Sequence, residues 1–209
     1  MSERLFKTLL NGRGGRFSDF VWPEAGKWVE VEGVLTPCIN GLHLCREKDL
    51  LQWLAPEIWE AEYEGECIEE KDKLVVRKAR LIRRIEAWNI RTARLFELDC
   101  AEHFLWRYEK RYPEDGRPRK AIETARRYIE RYPEIDREEL IRVTNEAWAV
   151  VKEFGIKKSH YYMAAVAAAR AADDVLDREG IKTMIETWTL FWDNATTPIK
   201  GKAWRAERE

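Results

Sequence analysis

The sequence lacks any long apolar run and any excess of one charge. Its longest stretch of small apolar residues, 163–169, is far shorter than the roughly 20 residues that span a bilayer, so we expect no transmembrane helix and no membrane partner. With no apolar run at the N-terminus and only four cysteines, we expect a cytoplasmic protein with free thiols. The net charge is -1, although 36% of the residues are charged, which excludes one dominant electrostatic field.

Charge is unevenly distributed along the chain. Residues 1–73 carry 9 Lys and Arg against 15 Asp and Glu, whereas residues 74–133 carry 16 against 9. An acidic block next to a basic one has two interpretations: the blocks neutralise each other within the chain, or the basic one meets a partner. Both stay open at this point.

The first 86 residues have the pattern of an α+β domain. Short apolar or alternating runs, broken by glycine and by turn signals such as Asn40-Gly41, predict a small antiparallel sheet. The predicted strands cover 5–10, 27–35, 42–45, 58–66 and 74–85, and a short helix covers 47–54. In the third strand, alternation puts His43 and Cys45 on one face.

From residue 87 the apolar period becomes 3.6, which predicts an all-helical bundle of about five helices over 87–195 and a loose tail over 196–209. The predicted helices cover 89–111, 117–132, a segment capped by Asp136 and closed by Gly155, a segment capped by Ser159 and closed by Gly180, and 181–193. In the first helix we expect the buried face to hold Ala93, Phe96, Cys100, Phe104 and Tyr108. In the third we expect it to hold Leu140, Val143, Ala147 and Val151.

Two segments of the helical part carry a resemblance. They are Asp99-Cys100-Ala101-Glu102 and Arg117-Pro118-Arg119-Lys120-Ala121-Ile122-Glu123, and with their surroundings they resemble a helical family of immunity proteins, the counterparts of polymorphic toxins. The resemblance implies a protein-binding role without catalytic residues. The N-terminal part, through residues 37–45, is similar to an uncharacterised domain found in bacterial and phage proteins, so the resemblance includes a phage or prophage origin beside a bacterial one.

Three constellations are candidates for function. Thiolates and one imidazole suit tetrahedral zinc, and the sequence offers Cys38, His43, Cys45 and Cys67; the alternative is a turn with buried thiols and no cofactor. A second cluster, one helical turn long, holds Asp99, Glu102 and His103. It either orients an imidazole for chemistry or pairs with the arginines of 117–120.

The third candidate is a basic surface. Its residues are Arg77, Arg80, Arg83, Arg84, Arg117, Arg119 and Lys120. Such charge beside aromatic rings is typical of nucleic-acid binding, but acidic residues interleave with it. Among the ten tryptophans, Trp22, Trp192 and Trp204 are expected to be exposed.

Three functional hypotheses follow. The favoured one is a protein-binding inhibitor or immunity-type factor that acts against a toxin or a host-defence protein by occlusion, and it needs no cofactor and no catalysis. The second is an enzyme with a pocket around His43 and Glu62 in the N-terminal part. The third is a nucleic-acid-binding accessory protein. The sequence does not specify an oligomeric state.

Overall fold

The structure is a computed structural model that describes residues 3–14, 20–131, 136–154 and 160–176. The chain divides into two compact units, the first ending at Ala93 and the second beginning at Arg94. The predicted helix at 181–193, the tail, Ser159, Gly155 and Gly180 lie outside the described residues, as do Trp192 and Trp204. The α+β fold class is confirmed, with a sheet in the first unit followed by long helices.

The first unit is built from five antiparallel strands. They are β1 (Leu5–Leu9), β2 (Val29–Glu30), β3 (Leu42–Arg46), β4 (Glu57–Glu69) and β5 (Leu74–Arg84), with a 3-10 helix at Glu47–Gln52 after β3. β5 pairs with β3, β3 with β1, β1 with β4, and β4 again with β5, so four strands form a closed ring to which β2 is added along β5. Closure leaves few unpaired backbone groups in a small sheet.

Aliphatic side chains on β3 and β5 fill the interior of the first unit, and Leu44, Val75 and Val76 are fully buried. Trp22 belongs to this core, with only 6% of its surface exposed, so the expectation that it is exposed was wrong. Its backbone N–H donates to Gly12 O at 3.0 Å, and its ring meets Phe20 edge-on at 5.9 Å. These contacts turn the ring inward although a proline follows it.

β2 is much shorter than the predicted strand at 27–35. One more backbone bond, from Val31 N to Arg77 O at 3.0 Å, follows Glu30, and Gly33 then adopts a left-handed φ of 81°, outside the range of regular strand backbone. Beyond this point a side chain takes the place of the backbone hydrogen bonds: the Arg77 guanidinium donates to Val31 O at 3.0 Å and to Gly33 O at 2.5 Å. The apolar alternation at 27–35 therefore continues beyond the backbone pairing.

The second unit contains α1 (Ile90–Arg111), which begins in the first unit, α2 (Arg117–Arg131), α3 (Arg137–Phe154) and α4 (His160–Leu176). Asn89 caps α1, because its Oδ1 accepts from the N–H groups of Arg91 and Thr92. Asp136 caps α3 in the same way, as predicted, by accepting from Glu138 N at 2.9 Å. Among the described residues, no helix is both long and apolar enough to span a membrane.

The core of the second unit corrects the predicted face of α1. On α1, Ala93 and Tyr108 are fully buried as predicted, but the residues buried between them are Leu98, Ala101 and Leu105. Phe96, Cys100 and Phe104, which were predicted there, are only half-buried. Both sets recur every three or four residues, so periodicity alone could not separate them. On α3, the predicted Leu140, Val143 and Ala147 are fully buried, with Val150, while Val151 is half-buried against the same core. The alanines of 164–169 are buried there too.

Candidate interaction surfaces

The basic residues of β5 face a row of glutamates on β4. The two strands place Glu60 opposite Arg83, Glu62 opposite Arg80 and Glu64 opposite Lys78. The ion pairs of this ladder are Glu60–Arg83 at 2.7 Å, Glu64–Lys78 at 2.8 Å, Glu62–Arg80 and Glu66–Arg77. Opposite charges on directly facing positions stabilise an antiparallel pair.

Two further contacts tie the ladder to its surroundings. Glu60 also accepts from Arg4 at 2.6 Å, and hydrogen bonds from Arg83 and Arg4 lower its pKa to about 2. Two cations lie over the ring of Trp28: Lys78 Nζ is 4.8 Å and Arg80 Cζ is 4.6 Å from the ring centroid. The expected basic surface of β5 is thus compensated by carboxylates, and the aromatic ring beside it is already covered by cations. Arg84 lies outside the ladder, and its buried Nε has no hydrogen-bond partner among the described residues.

In the second unit, the two segments that carry the family resemblance bind each other. Arg119 joins Glu102 at 2.8 Å and Glu109 at 2.5 Å, and Arg126 joins Asp99 at 2.7 Å and Glu102 at 3.0 Å. Glu102 therefore pairs with an arginine of 117–120, as the structural alternative proposed, whereas Asp99 pairs with Arg126, further along α2. These residues join α1 to α2.

His103 and Lys120 take no part in this network. His103 is exposed and meets the neighbouring Phe104 edge-on at 5.2 Å, and Lys120 is exposed on α2. The structure therefore does not bring the imidazole together with Asp99 or Glu102 as an acid–base pair: both carboxylates bind arginines instead.

The turn between α1 and α2 forms a concave corner. Residues 111–117, here called the α1–α2 corner, line an open depression of about 650 Å³. Two of its lining residues are tied to the helices: the buried Tyr108 hydroxyl of α1 donates to Asp115 Oδ2 at 2.6 Å, and Arg117 binds both Asp115 at 2.7 Å and Glu153 of α3 at 2.7 Å. This network holds the corner against α1 and α3.

The electrostatics of the α1–α2 corner follow from these contacts. Hydrogen bonds from Arg117, followed by the Tyr108 hydroxyl, lower the pKa of Asp115 to about 2, so the carboxylate stays charged at any physiological pH. Burial, and then the bond to Asp115, raises the pKa of Tyr108. The sequence showed Arg117 as basic surface, but gave no sign that Tyr108, Asp115 and Glu153 would enclose it.

The four predicted zinc ligands are not assembled as a metal site. Cys45 is buried, with its thiol donating to Phe6 O at 3.5 Å, whereas Cys38 is exposed with its Sγ 3.0 Å from Lys73 Nζ. Cys67 is half-buried. Within the described residues, no group of three or more His, Cys, Asp or Glu side chains is placed to hold a metal ion. All four cysteines are free.

His43 is half-buried and lies near the positive charges of two lysines, which the sequence did not reveal. Burial, together with the charges of Lys7 and Lys73, lowers its pKa to about 4, and its Nε2 accepts from the Cys38 N–H at 3.4 Å. Lys7 donates to His43 O at 3.1 Å, and burial lowers its own pKa to about 8. Glu62, the other residue around which the enzyme hypothesis placed a pocket, is ion-paired with Arg80.

Comparison with protein families connects the two units to different families. Residues 83–175 match the model of a family described as Imm-5 like putative immunity protein. Residues 4–93 match a domain of unknown function, DUF7666. Both resemblances seen in the sequence are thereby confirmed. No match was found among curated proteins or among solved structures.

Proposed function

We propose that this chain is an immunity-type protein that binds a toxin and neutralises it by occlusion in the cytoplasm. The observation that carries the proposal is the match of residues 83–175 to an immunity-protein family, which covers α1 to α4 almost completely. An occluding protein needs a rigid surface rather than catalytic groups, and the ion-pair networks of α1, α2 and α3 supply that rigidity. A phage or prophage origin fits the same role.

The α1–α2 corner is the part of the helical unit that we propose for toxin contact. It is an open depression, and its lining presents exposed charges of both signs, Arg111 and Glu114, together with the ion-paired Arg117. A preorganised surface loses little conformational freedom on binding, which favours tight complexes. Exposed charges around it would set the association rate and the choice of partner.

The direct test uses the full chain and, as candidate toxins, the proteins encoded by the genes that flank its own. We expect the chain and one of these proteins to form a complex of fixed stoichiometry, and toxin activity to fall linearly with added chain until one equivalent is present. The toxin recovered after separation should have an unchanged mass and full activity. If far less than one equivalent of the chain neutralised the toxin, or if the recovered toxin were chemically altered, the chain would act as an enzyme and not by occlusion. Absence of any complex would contradict the proposal.

Charge reversal tests the proposed surface. Arg111→Glu and Glu114→Lys should each weaken toxin binding, with most of the change in the association rate, while thermal stability stays the same. Glu123→Lys, an equally exposed reversal on α2, is the matched control and should leave binding unchanged. Equal effects at all three positions would place the contact elsewhere.

A further inference from the structure

A loop of the first unit displays two aliphatic side chains almost completely to solvent. Residues 33–41, here called the knuckle, connect β2 to β3, and within them Val34 is 81% and Ile39 is 84% exposed. Leu35 between them is buried, with 4% exposed, and anchors the loop to the sheet. Of its three aliphatic side chains, the knuckle therefore keeps one in the core and places two in water.

The knuckle is held in one conformation by a dense set of hydrogen bonds. Thr36 and Asn40 exchange both backbone bonds at 2.8 Å, and the Asn40 side chain donates to Glu32 O at 2.7 Å and Val34 O at 3.1 Å. Arg77 fixes the entry to the loop through its bond to Gly33 O. An ordered loop loses little conformational freedom when it docks, so burial of its exposed aliphatics would translate efficiently into affinity.

The charge beside these side chains is negative. Residues 29–41 contain Glu30 and Glu32 and no lysine or arginine. Both carboxylates are exposed, and Glu32 has no ion pair with any residue that the structure describes. Glu30 stands opposite Lys78, but that ammonium already binds Glu64, so two carboxylates share one cation.

Two cations reach the knuckle. Arg77 is bound to Glu66, so its charge is already paired. Lys73 lies 3.0 Å from the Cys38 thiol and 5.4 Å from the centroid of the Trp53 ring, and because neither is a carboxylate it adds one positive charge. The exposed surface therefore combines an aliphatic tip with two carboxylates, Glu30 and Glu32, against this one ammonium, so negative charge is in excess.

We propose that the knuckle is a docking surface for a protein partner that presents an aliphatic pocket bordered by lysine or arginine. The pocket would take Val34 and Ile39, and the basic border would face Glu30 and Glu32. This surface belongs to the unit that matches the domain of unknown function, and the proposal is independent of toxin binding by the helical unit.

The test uses the full chain with labelled valine, leucine and isoleucine methyl groups. The probe is an amphipathic peptide of leucine and lysine, and the control peptide has the same leucines with glutamate in place of lysine. We expect the methyl resonances of Val34 and Ile39 to shift on titration with the lysine peptide and not with the glutamate peptide. The methyl resonances of Ile82, which is exposed elsewhere in this unit, should not move.

Variants then separate the two contributions. Val34→Ser and Ile39→Ser should each weaken peptide binding roughly tenfold through lost apolar burial. Glu30→Gln with Glu32→Gln should weaken it roughly fivefold at low salt and less at high salt. Ile82→Ser is the matched control, and unchanged thermal unfolding checks that each variant folds.

Three results would overturn the proposal. They are unshifted Val34 and Ile39 resonances, equal shifts with both peptides, and binding that Ile82→Ser weakens as much as Ile39→Ser does. Sedimentation of the chain without peptide then tests whether a second copy of the chain binds the knuckle. Association that depends on concentration and is lost in Ile39→Ser would show that a second copy covers the knuckle, in place of a basic partner.

Discussion

Replacing Asp115 with asparagine removes one charge from the network of the α1–α2 corner while keeping the shape of the side chain. Hydrogen bonds from Arg117 and Tyr108 lower the pKa of this carboxyl from 3.8 to about 2. One pKa unit corresponds to about 1.4 kcal/mol of differential stabilisation. Because 22% of the Asp115 side chain and 34% of Arg117 are exposed, solvent screening reduces the full value, and we expect a loss of about 1–2 kcal/mol at pH 7.

The dependence on pH distinguishes charge from packing. A carboxyl whose pKa is lower in the folded state stabilises the fold above its unfolded pKa, and this contribution is lost as the pH falls through the folded pKa. The difference between the wild-type chain and Asp115→Asn should therefore be full above about pH 5 and shrink towards zero near pH 2.

The assay is urea unfolding followed by circular dichroism at 222 nm, which reports the helices, at several pH values between 3 and 7. Glu114→Gln, at the next and exposed carboxyl, is the control and should change stability by less than about 0.5 kcal/mol. A loss in Asp115→Asn that is independent of pH, or one no larger than in Glu114→Gln, would refute the reasoning.

Three further predictions concern the two cores and the His43 environment. Leu105→Ala should cost about 2–5 kcal/mol in urea unfolding and Trp106→Ala less than half as much, because Leu105 is fully buried and Trp106 is 37% exposed; equal losses would contradict the assigned face of α1. Gly41→Ala should cost more than about 2 kcal/mol, since its Cβ would lie 2.3 Å from the buried Val75, and should lower the melting temperature well beyond Gly65→Ala, whose Cβ meets nothing within 4 Å. His43 should titrate near pH 4 by NMR, so its contribution to stability falls as the pH drops from about 6.5 towards 4; a midpoint near 6.5 would show that it is not desolvated.

Much of the fold follows from local sequence patterns. The limits of α1, α2 and β5 lie within one or two residues of their predicted positions, because caps such as Asn89 and Asp136 and stops such as Pro113 act on their immediate neighbours. The predicted strand at 27–35 was too long, since apolar alternation continued past the point where Gly33 and the Arg77 side chain ended the backbone pairing.

The candidate surfaces show where local patterns stop being informative. The alternating glutamates of β4 and the arginines of β5 were visible as two charged faces, but the strand register decides that Glu60 meets Arg83 and Glu64 meets Lys78. The same holds for Trp22, whose burial depends on contacts with distant parts of the first unit.

The sequence by itself determined the α+β class, the change from strands to helices near residue 87 and the resemblance to immunity proteins, because each depends on residues close together in the chain. The tertiary structure decided which charges are compensated, which face of α1 is buried and which two aliphatics of the knuckle remain in water. Those outcomes depend on pairs far apart in sequence, such as Arg117 with Glu153, which only strand register and helix packing bring within hydrogen-bonding distance.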